Sequence, residues 1–460
     1  MRLPTAHLAS KTYLVLALIL LGGGIAWTAR HVANLVAYSE GRTSTQSFTL
    51  LWAVVFGSLV WHLGLAWTER PYRTTSRQQA QLDKLFVTVN VPVHKEDEEA
   101  LRRVLEAILR QTRMPQRVQI VTNGLGNPDY GAIRDEWLTR AGELFPAMIV
   151  EWVHQDVPGK RDAQIRTFKD NGEADIFATM DSDTVMDPKC IEEGLKPFAD
   201  PRVTSVASVI LAFNSRHPLV RITDPWLLAF QLAVRSAMSK LGCVLVNSGN
   251  FSMYRAQVVR DALPSYEREF FLGHQVQFSD DSLLTLFAHL RGRTVQQPSS
   301  FAFTVLPEKL GHHWRQQLRW MRGSTIRSIW RFRYLPLKGF AYWEHFAAWL
   351  NFVLVSFAFL VLFVLAPIFN HEVMPFLFLF SVLVAYATGL KYLTIRRSDQ
   401  GFGSQLVTFA LTPIMLVWTA LVLRPLRVYA MATCWKTGWG TRGSVEVRTA
   451  ASEGRDVIPA

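Results

Sequence analysis

Hydrophobic and polar positions divide the chain into three regimes. Near the start, Tyr13–Trp27 and Phe48–Trp67 are almost continuously apolar, and each predicts a helix in the membrane. The first run continues through His31 to Tyr38 without a small-residue cleavage site, which favours an uncleaved spanning helix over a secretory leader. The second carries Trp52, Trp61 and Trp67, suited to membrane interfaces, and is followed at once by Arg70, Arg73 and Arg77. The positive-inside tendency puts that end in the cytosol, together with Arg2 and Lys11 at the N-terminus.

From Leu85 to Tyr334 short apolar runs alternate with amphipathic segments, the pattern of an α/β domain with a mixed, mostly parallel sheet. Leu85–Pro92, Arg117–Thr122, Met148–Val153 and Ile176–Met180 read as strands, and Glu98–Gln111 reads as a helix. Ligands in such sheets bind at the carboxyl ends of strands, so polar residues there are the first candidates for chemistry. Beyond the domain, Phe346–Phe369, Met374–Leu393 and Leu406–Leu423 return to span length, the last ending in Arg424, Arg427 and a kink at Pro425. Leu227–Leu241 and Trp314–Trp330 are amphipathic and read as helices in the cytosolic interface, with ordinary buried helices as the alternative. The expected divisions are membrane helices in 1–70, a cytosolic domain with interface helices in 71–334, membrane helices in 335–430 and a cytosolic tail in 431–460, polar from Thr449 to Ala460.

Composition sharpens this picture. A chain of 460 residues that is 49% hydrophobic and 12% aromatic is too apolar for an ordinary soluble protein of its size. Three widely spaced cysteines, Cys190, Cys243 and Cys434, build neither a disulfide framework nor a zinc cluster. The net charge of +12 suits nucleic acid, anionic lipid or a polyanionic substrate. Basic clusters beside apolar stretches, such as Arg327, Arg331 and Arg333, favour lipid, and no nucleic-acid motif accompanies them.

Four stretches carry candidate chemistry. Asp181-Ser182-Asp183 follows a strand, and carboxylates one residue apart there suit Mg²⁺ or Mn²⁺ with positions left for phosphate oxygens. Taken alone, the stretch is equally a solvated turn. Ser279-Asp280-Asp281-Ser282 precedes a helical pattern and reads either as an N-cap or as a source of a general base, with Asp281 the chosen base beside Asp280. One base suffices for a single displacement at a sugar carbon if a metal stabilises the leaving diphosphate. Gln316-Gln317-Leu318-Arg319-Trp320 places Gln316, Arg319 and Trp320 near one turn of helix, a guanidinium for pyrophosphate beside an indole for a sugar face. The plain alternative is Trp and Arg at lipid headgroups. Gly159-Lys160-Arg161 is either a diphosphate-holding loop or a basic turn, and Trp439-Gly440-Thr441-Arg442 either a membrane anchor or a segment reaching the site.

In this order the motifs resemble those of the family 2 inverting glycosyltransferases of the GT-A fold, and within them the membrane-integrated polysaccharide synthases of hyaluronan, chitin and cellulose type. Val91-Pro92-Val93-His94-Lys95-Glu96 belongs to the same pattern, and the resemblance spans nearly the whole chain. It implies uracil and diphosphate binding near Pro92, Lys160 and Arg161, nucleotide or metal contact at Asp181, metal at Asp183 and a base at Asp281. It further implies donor or acceptor contacts from Gln316, Arg319 and Trp320, and a role for Arg442 at the site entrance. UDP-N-acetylglucosamine and UDP-glucuronate are the implied donors, a growing polysaccharide the acceptor, and an inner, plasma membrane the location. The sequence departs from the pattern at Val121-Thr122-Asn123-Gly124-Leu125, which lacks the usual acidic pair. It departs again at Ser282, where an arginine is usual, and at Asn250 in Ser248-Gly249-Asn250, where the pattern has proline.

Overall fold

The computed structural model describes residues 3–39, 46–360, 368 and 373–438. At its centre is an eight-stranded sheet. The strands in chain order are β1 (Ala6–Leu8), β2 (Val87–Val93), β3 (Arg117–Asn123), β4 (Ile149–Gln155), β5 (Ile176–Met180), β6 (Val185–Met186), β7 (Val203–Ala212), β8 (Phe251–Arg255), the hairpin pair β9 (Phe270–Phe271) and β10 (His274–Gln275), β11 (Arg293–Thr304) and β12 (Ile395–Arg397). The central sheet runs β4-β3-β2-β5-β8-β7-β11-β6. β4, β3, β2 and β5 are mutually parallel, β8 is antiparallel to both β5 and β7, and β11 lies parallel to β7. The carboxyl ends of β2, β3, β5, β7 and β11 therefore share one edge, where the candidate residues collect.

Local sequence explains these elements. β2 reads VTVNVPV and is buried along its whole length, as a central strand covered on both faces must be. Helix Glu98–Leu109 starts where the Asp97 carboxylate accepts the Ala100 N–H at 3.0 Å, and it buries Leu101, Val104, Leu105 and Ile108 on one face. The four expected strands are present with small changes of boundary. β11 is less legible because it contains Pro298 and a polar run, and its register with β7 shifts between Gln296 and Phe301. That irregularity accommodates a proline inside a sheet.

Among the described residues three helical stretches are long and apolar enough to cross a membrane: Thr12–Leu35, Pro375–Thr394 and Phe402–Ala432. Helix Gln46–Thr68 covers the expected Phe48–Trp67 run, and Phe340–Leu360 covers the first part of the expected Phe346–Phe369 run, of which 361–367 and 369 lie outside the described residues. The last stretch extends past Leu423 rather than ending there. A π-helical turn at Thr419–Leu423 leads into Arg424–Ala432, with Pro425 in the first turn, where its missing N–H costs nothing. β1 pairs with β12, so the chain start is tied to the segment after the second span.

Leu227–Leu241 takes the buried alternative. It continues a helix from Pro218 through a π-helical turn at Phe230–Arg235 to Leu241. On one side the Gln231 amide bonds the Ile210 N–H and C=O of β7 at 2.7 and 2.9 Å. On the other, Ala233 packs with Ile25, Leu63 and Ala387 of the apolar helices. The segment is thus a junction between sheet and membrane helices.

Candidate active site

Asp181 stands directly after β5. Its N–H donates to the Asn250 carbonyl at 3.1 Å, and the Thr184 N–H closes the turn on the Asp181 carbonyl at 3.1 Å. The Ser182 hydroxyl donates to Glu96 Oε2 at 2.7 Å, fastening this turn to the loop after β2. Asp183 is half-buried on the same turn.

The Gly159-Lys160-Arg161 stretch is the start of helix Lys160–Asp170 rather than a loop. Gly159 has φ 153°, and a Cβ there would lie 2.4 Å from Asp162 Oδ2, so only glycine permits this entry. Lys160 Nζ pairs with the Asp181 carboxylate and also donates to the Gly249 carbonyl at 3.3 Å. Burial alone would lower the Lys160 pKa, but Asp181, Asp280 and Asp281 outweigh it and hold the ammonium above its ordinary value.

Arg161 points inward. Its Nε donates to Asp280 Oδ1 at 2.6 Å, its Nη2 lies 3.0 Å from Glu269 Oε2, and the Tyr266 ring stacks on it at 5.1 Å. Glu269 is shared with Arg327, whose Nη1 and Nη2 reach its two oxygens at 2.6 and 3.2 Å. Burial would raise the Glu269 pKa, but the two guanidinium groups hold it below the usual carboxylate range. Arg327, read from sequence as one of a lipid-facing trio with Arg331 and Arg333, is fully buried on this carboxylate. Arg331 is buried too, donating to the Leu245 carbonyl at 2.6 Å, and Arg333 alone of the three is exposed.

Asp280 and Asp281 open helix Asp280–Arg291. Ser279 occupies the cap position with φ 65° but makes no capping bond, and its hydroxyl lies 2.7 Å from Ser282 Oγ instead. This differs from the simple N-cap reading. Asp280 is buried beneath Arg161, whereas Asp281 is half-buried and faces Gly249. A methyl group at Gly249 would lie 3.2 Å from Lys160 Nζ and 3.6 Å from Asp281 Oδ2, so the bare backbone there lets both groups draw close to the turn, and a side chain would press on Lys160. Burial raises the Asp281 pKa, opposed by Lys160 and reinforced by the like charges of Asp280 and Asp181.

The Gln316, Arg319 and Trp320 positions lie in helix Leu310–Tyr334. Gln316 and Arg319 are half-buried and Trp320 is 38% exposed. The helix docks on the acidic pair just beyond Trp320: a methyl at Gly323 would lie 2.7 Å from the Ser279 side chain, and Arg327 Nε donates to Ser282 Oγ at 3.2 Å. Pro92 is buried near the end of β2, opposite Val121 and past Asn90, where pairing with β5 stops, so its missing N–H breaks no bond on that side. Asn123, standing where the resemblance leads one to expect acid, ties strand ends together: its amide donates to the Val93 carbonyl at 3.1 Å and accepts the Gly159 N–H at 2.9 Å. Asn250 bridges Thr184 and Thr304 through its amide at 3.4 and 3.1 Å. Arg442 lies outside the described residues, although the Thr437 carbonyl five residues earlier accepts the Gln277 N–H at 3.1 Å, close to the acidic pair in sequence.

The structure thus gathers Lys160, Arg161, Asp181, Asp280 and Asp281 at one sheet edge. Sequence reading missed Glu269, which in Glu267-Arg268-Glu269 looks like an ordinary charged turn and becomes a counter-ion only through long-range packing.

Residues 84–323, which contain this whole cluster, match the family described as Glycosyltransferase like family 2. The chain belongs to that family. It is 29% identical over 441 residues to the hyaluronan synthase of Streptococcus pyogenes serotype M6, covering 95% of this chain and 98% of that protein. It is 31% identical over 256 residues to an N-acetylglucosaminyltransferase of Rhizobium sp. (strain N33), covering 54% of this chain and 55% of that protein. Among solved structures, the mannosyltransferase PcManGT of Pyrobaculum calidifontis, in complex with GDP-Man and Mn²⁺, aligns with a TM-score of 0.50 and 17% identity over 86% of this chain and 98% of that one. The fold is of the GT-A type, carried with membrane helices, and the chain is a glycosyltransferase.

Proposed function

We propose that the chain is an inverting, processive synthase that adds sugars from UDP-sugars to a β-linked polysaccharide. In this reading residues 71–334 act on the cytosolic face of an inner, plasma membrane, and the helices before and after them carry the product across. The observation that carries the reading is the gathering of Lys160, paired with Asp181, and of Asp281 against the bare backbone of Gly249.

Asp281 takes the proton from an acceptor hydroxyl as its oxygen bonds to the anomeric carbon of the donor. The bond from that carbon to the diphosphate breaks, and UDP leaves with the electron pair. Lys160 meets the diphosphate from the Asp181 side, and Pro92 lies on the nucleoside side. Arg161 and Asp280 are better suited to support than to substrate contact, because each is buried on the other. Gln316, Arg319 and Trp320 contact donor or acceptor along their helix, and Arg442 acts at the entrance. Asp183, with Asp181 on the same turn, offers the one or two carboxylates by which Mg²⁺ or Mn²⁺ is held when phosphate and water complete the shell. The ion, when bound, supplies charge neutralisation at the leaving diphosphate.

The alignment over nearly all of both chains favours a hyaluronan-type product, from UDP-glucuronate and UDP-N-acetylglucosamine. A second reading, an N-acetylglucosamine polymer or oligomer, is favoured by the similarity to the rhizobial enzyme. UDP release and product growth with each donor alone and with both decide between them. A product that grows only with both donors and is cut by hyaluronidase supports the first, and one built from UDP-N-acetylglucosamine alone and cut by chitinase supports the second.

A further inference from the structure

Arg235 lies in the π-helical turn of the junction helix and is 1% exposed. It makes four hydrogen bonds, all to neutral acceptors: Nε donates to Gln296 Oε1 at 2.5 Å, Nη1 to Ser248 Oγ at 2.7 Å, and Nη2 to the Ser208 carbonyl and Gln231 Oε1, each at 2.7 Å. Burial pushes its pKa down to about 9, with Glu69 and Asp281 pulling the other way. A charge held this way, away from contact with a carboxylate, is costly and is an unusual choice for mere packing.

The two ends of its network are informative. Ser248 precedes Gly249, whose carbonyl accepts Lys160 and whose bare Cα lies close to both Lys160 and Asp281. On the other side, Gln296 Nε2 donates to Ser236 Oγ at 3.2 Å, and Ser236 Oγ also accepts from Lys391 Nζ at 2.9 Å. Lys391 closes on Glu69 Oε2 and the Ala66 carbonyl, both at 2.8 Å. Glu69 follows helix Gln46–Thr68, and Lys391 lies in the span Pro375–Thr394. One unbroken hydrogen-bonded path therefore runs from Glu69 and Lys391 through Ser236, Gln296 and Arg235 to Ser248.

We infer that Arg235 is a positioning residue that holds the Ser248-Gly249-Asn250 turn against Lys160 and Asp281 and couples it to the Glu69–Lys391 pair at the base of the membrane helices. The inference rests on the glycosyl-transfer reading of this site. Arg235 acts through Ser248, so the path fixes where the turn stands relative to Lys160 and Asp281. A shift of about 1 Å in such a turn is enough to cost about 100-fold in rate.

The test uses the full-length enzyme in lipid nanodiscs, with UDP release as the readout. Ser248→Ala removes only the acceptor oxygen at the end of the path, and Ser236→Ala removes the oxygen shared by Lys391 and Gln296. Each is expected to lower kcat by about 10-fold or more, leave the donor KM within about twofold and leave the melting temperature within about 2 °C. Ser248→Thr, which keeps an acceptor oxygen, is expected to recover most of the rate. Arg235→Lys, which keeps charge but cannot span four acceptors, is expected to behave like Ser248→Ala. The double variant Ser236→Ala/Ser248→Ala is expected to fall no further than the worse single variant, because both cut one path. Unchanged kcat in Ser248→Ala, or losses that multiply in the double variant, would overturn the inference. Absence of UDP release by the unsubstituted enzyme with every donor would instead defeat the glycosyl-transfer reading, and the inference with it.

Discussion

At the scale of single residues, Asp280 and Asp281 differ although they are adjacent. Asp280 is 3% exposed and paired with Arg161, while Asp281 faces Gly249 with its pKa raised by burial and like charge. A base must lose its proton to act, so the rate rises with pH, and the acid limb of kcat/KM falls above the usual aspartate value of about 4. Lys160 is the group that opposes this rise. Lys160→Met therefore moves the limb to higher pH as well as lowering the rate, and pH–rate profiles of the two enzymes check the direction. Gly249→Ala places a methyl 3.2 Å from Lys160 Nζ and is expected to lower kcat by about 10-fold or more with little loss of folding, measured by UDP release and thermal unfolding. The acidic pairs were legible because their spacing is local. Which member of a pair faces outward depends on Arg161 arriving from 119 residues away, and no local pattern carries that.

Among elements, the helix Leu310–Tyr334 joins two parts of the site, since its first half carries Gln316, Arg319 and Trp320 and its second half docks on the acidic pair. Docking depends on close approach at Gly323 and on Glu269 shared between Arg161 and Arg327. Gly323→Ala forces the helix from Ser279 and is expected to cost about 1–3 kcal/mol and to lower activity, measured by unfolding and turnover. Glu269→Gln leaves the buried Arg327 guanidinium without its carboxylate and Arg161 with Asp280 alone, a loss of about 3–5 kcal/mol near neutral pH. The Glu269 pKa is depressed in the fold, so its contribution is present above the unfolded value of about 4.3 and is lost as pH falls through the lower folded value. The difference in melting temperature between the two proteins accordingly shrinks on acidification. Periodicity revealed the helix and its aromatic and basic face, but it assigned Arg327 and Arg331 to lipid, because a guanidinium on a carboxylate 58 residues upstream leaves no trace in local pattern. The same limit hid β11, whose interior proline reads as a break until its neighbour β7 is seen to shift register around it.

For the whole molecule, the sheet edge that gathers the candidate residues is joined to the membrane helices by the buried helix from Pro218 to Leu241. Membrane runs and the α/β domain between them were readable from hydropathy alone, while the burial of Leu227–Leu241 was not, because contact with lipid and contact with a protein helix select the same apolar face. An ion shared between Asp183 and the donor predicts that EDTA abolishes turnover and that Mg²⁺ or Mn²⁺ restores it while the protein stays folded. Metal-assisted glycosyl transfer with Asp281 as base is decided by UDP release from purified protein, unsubstituted and Asp281→Asn. With UDP-N-acetylglucosamine and UDP-glucuronate supplied together, the unsubstituted enzyme should release UDP and the variant should be slower by about 100-fold or more. Equal release by the two proteins, or none from the unsubstituted enzyme with any UDP-sugar, would contradict it.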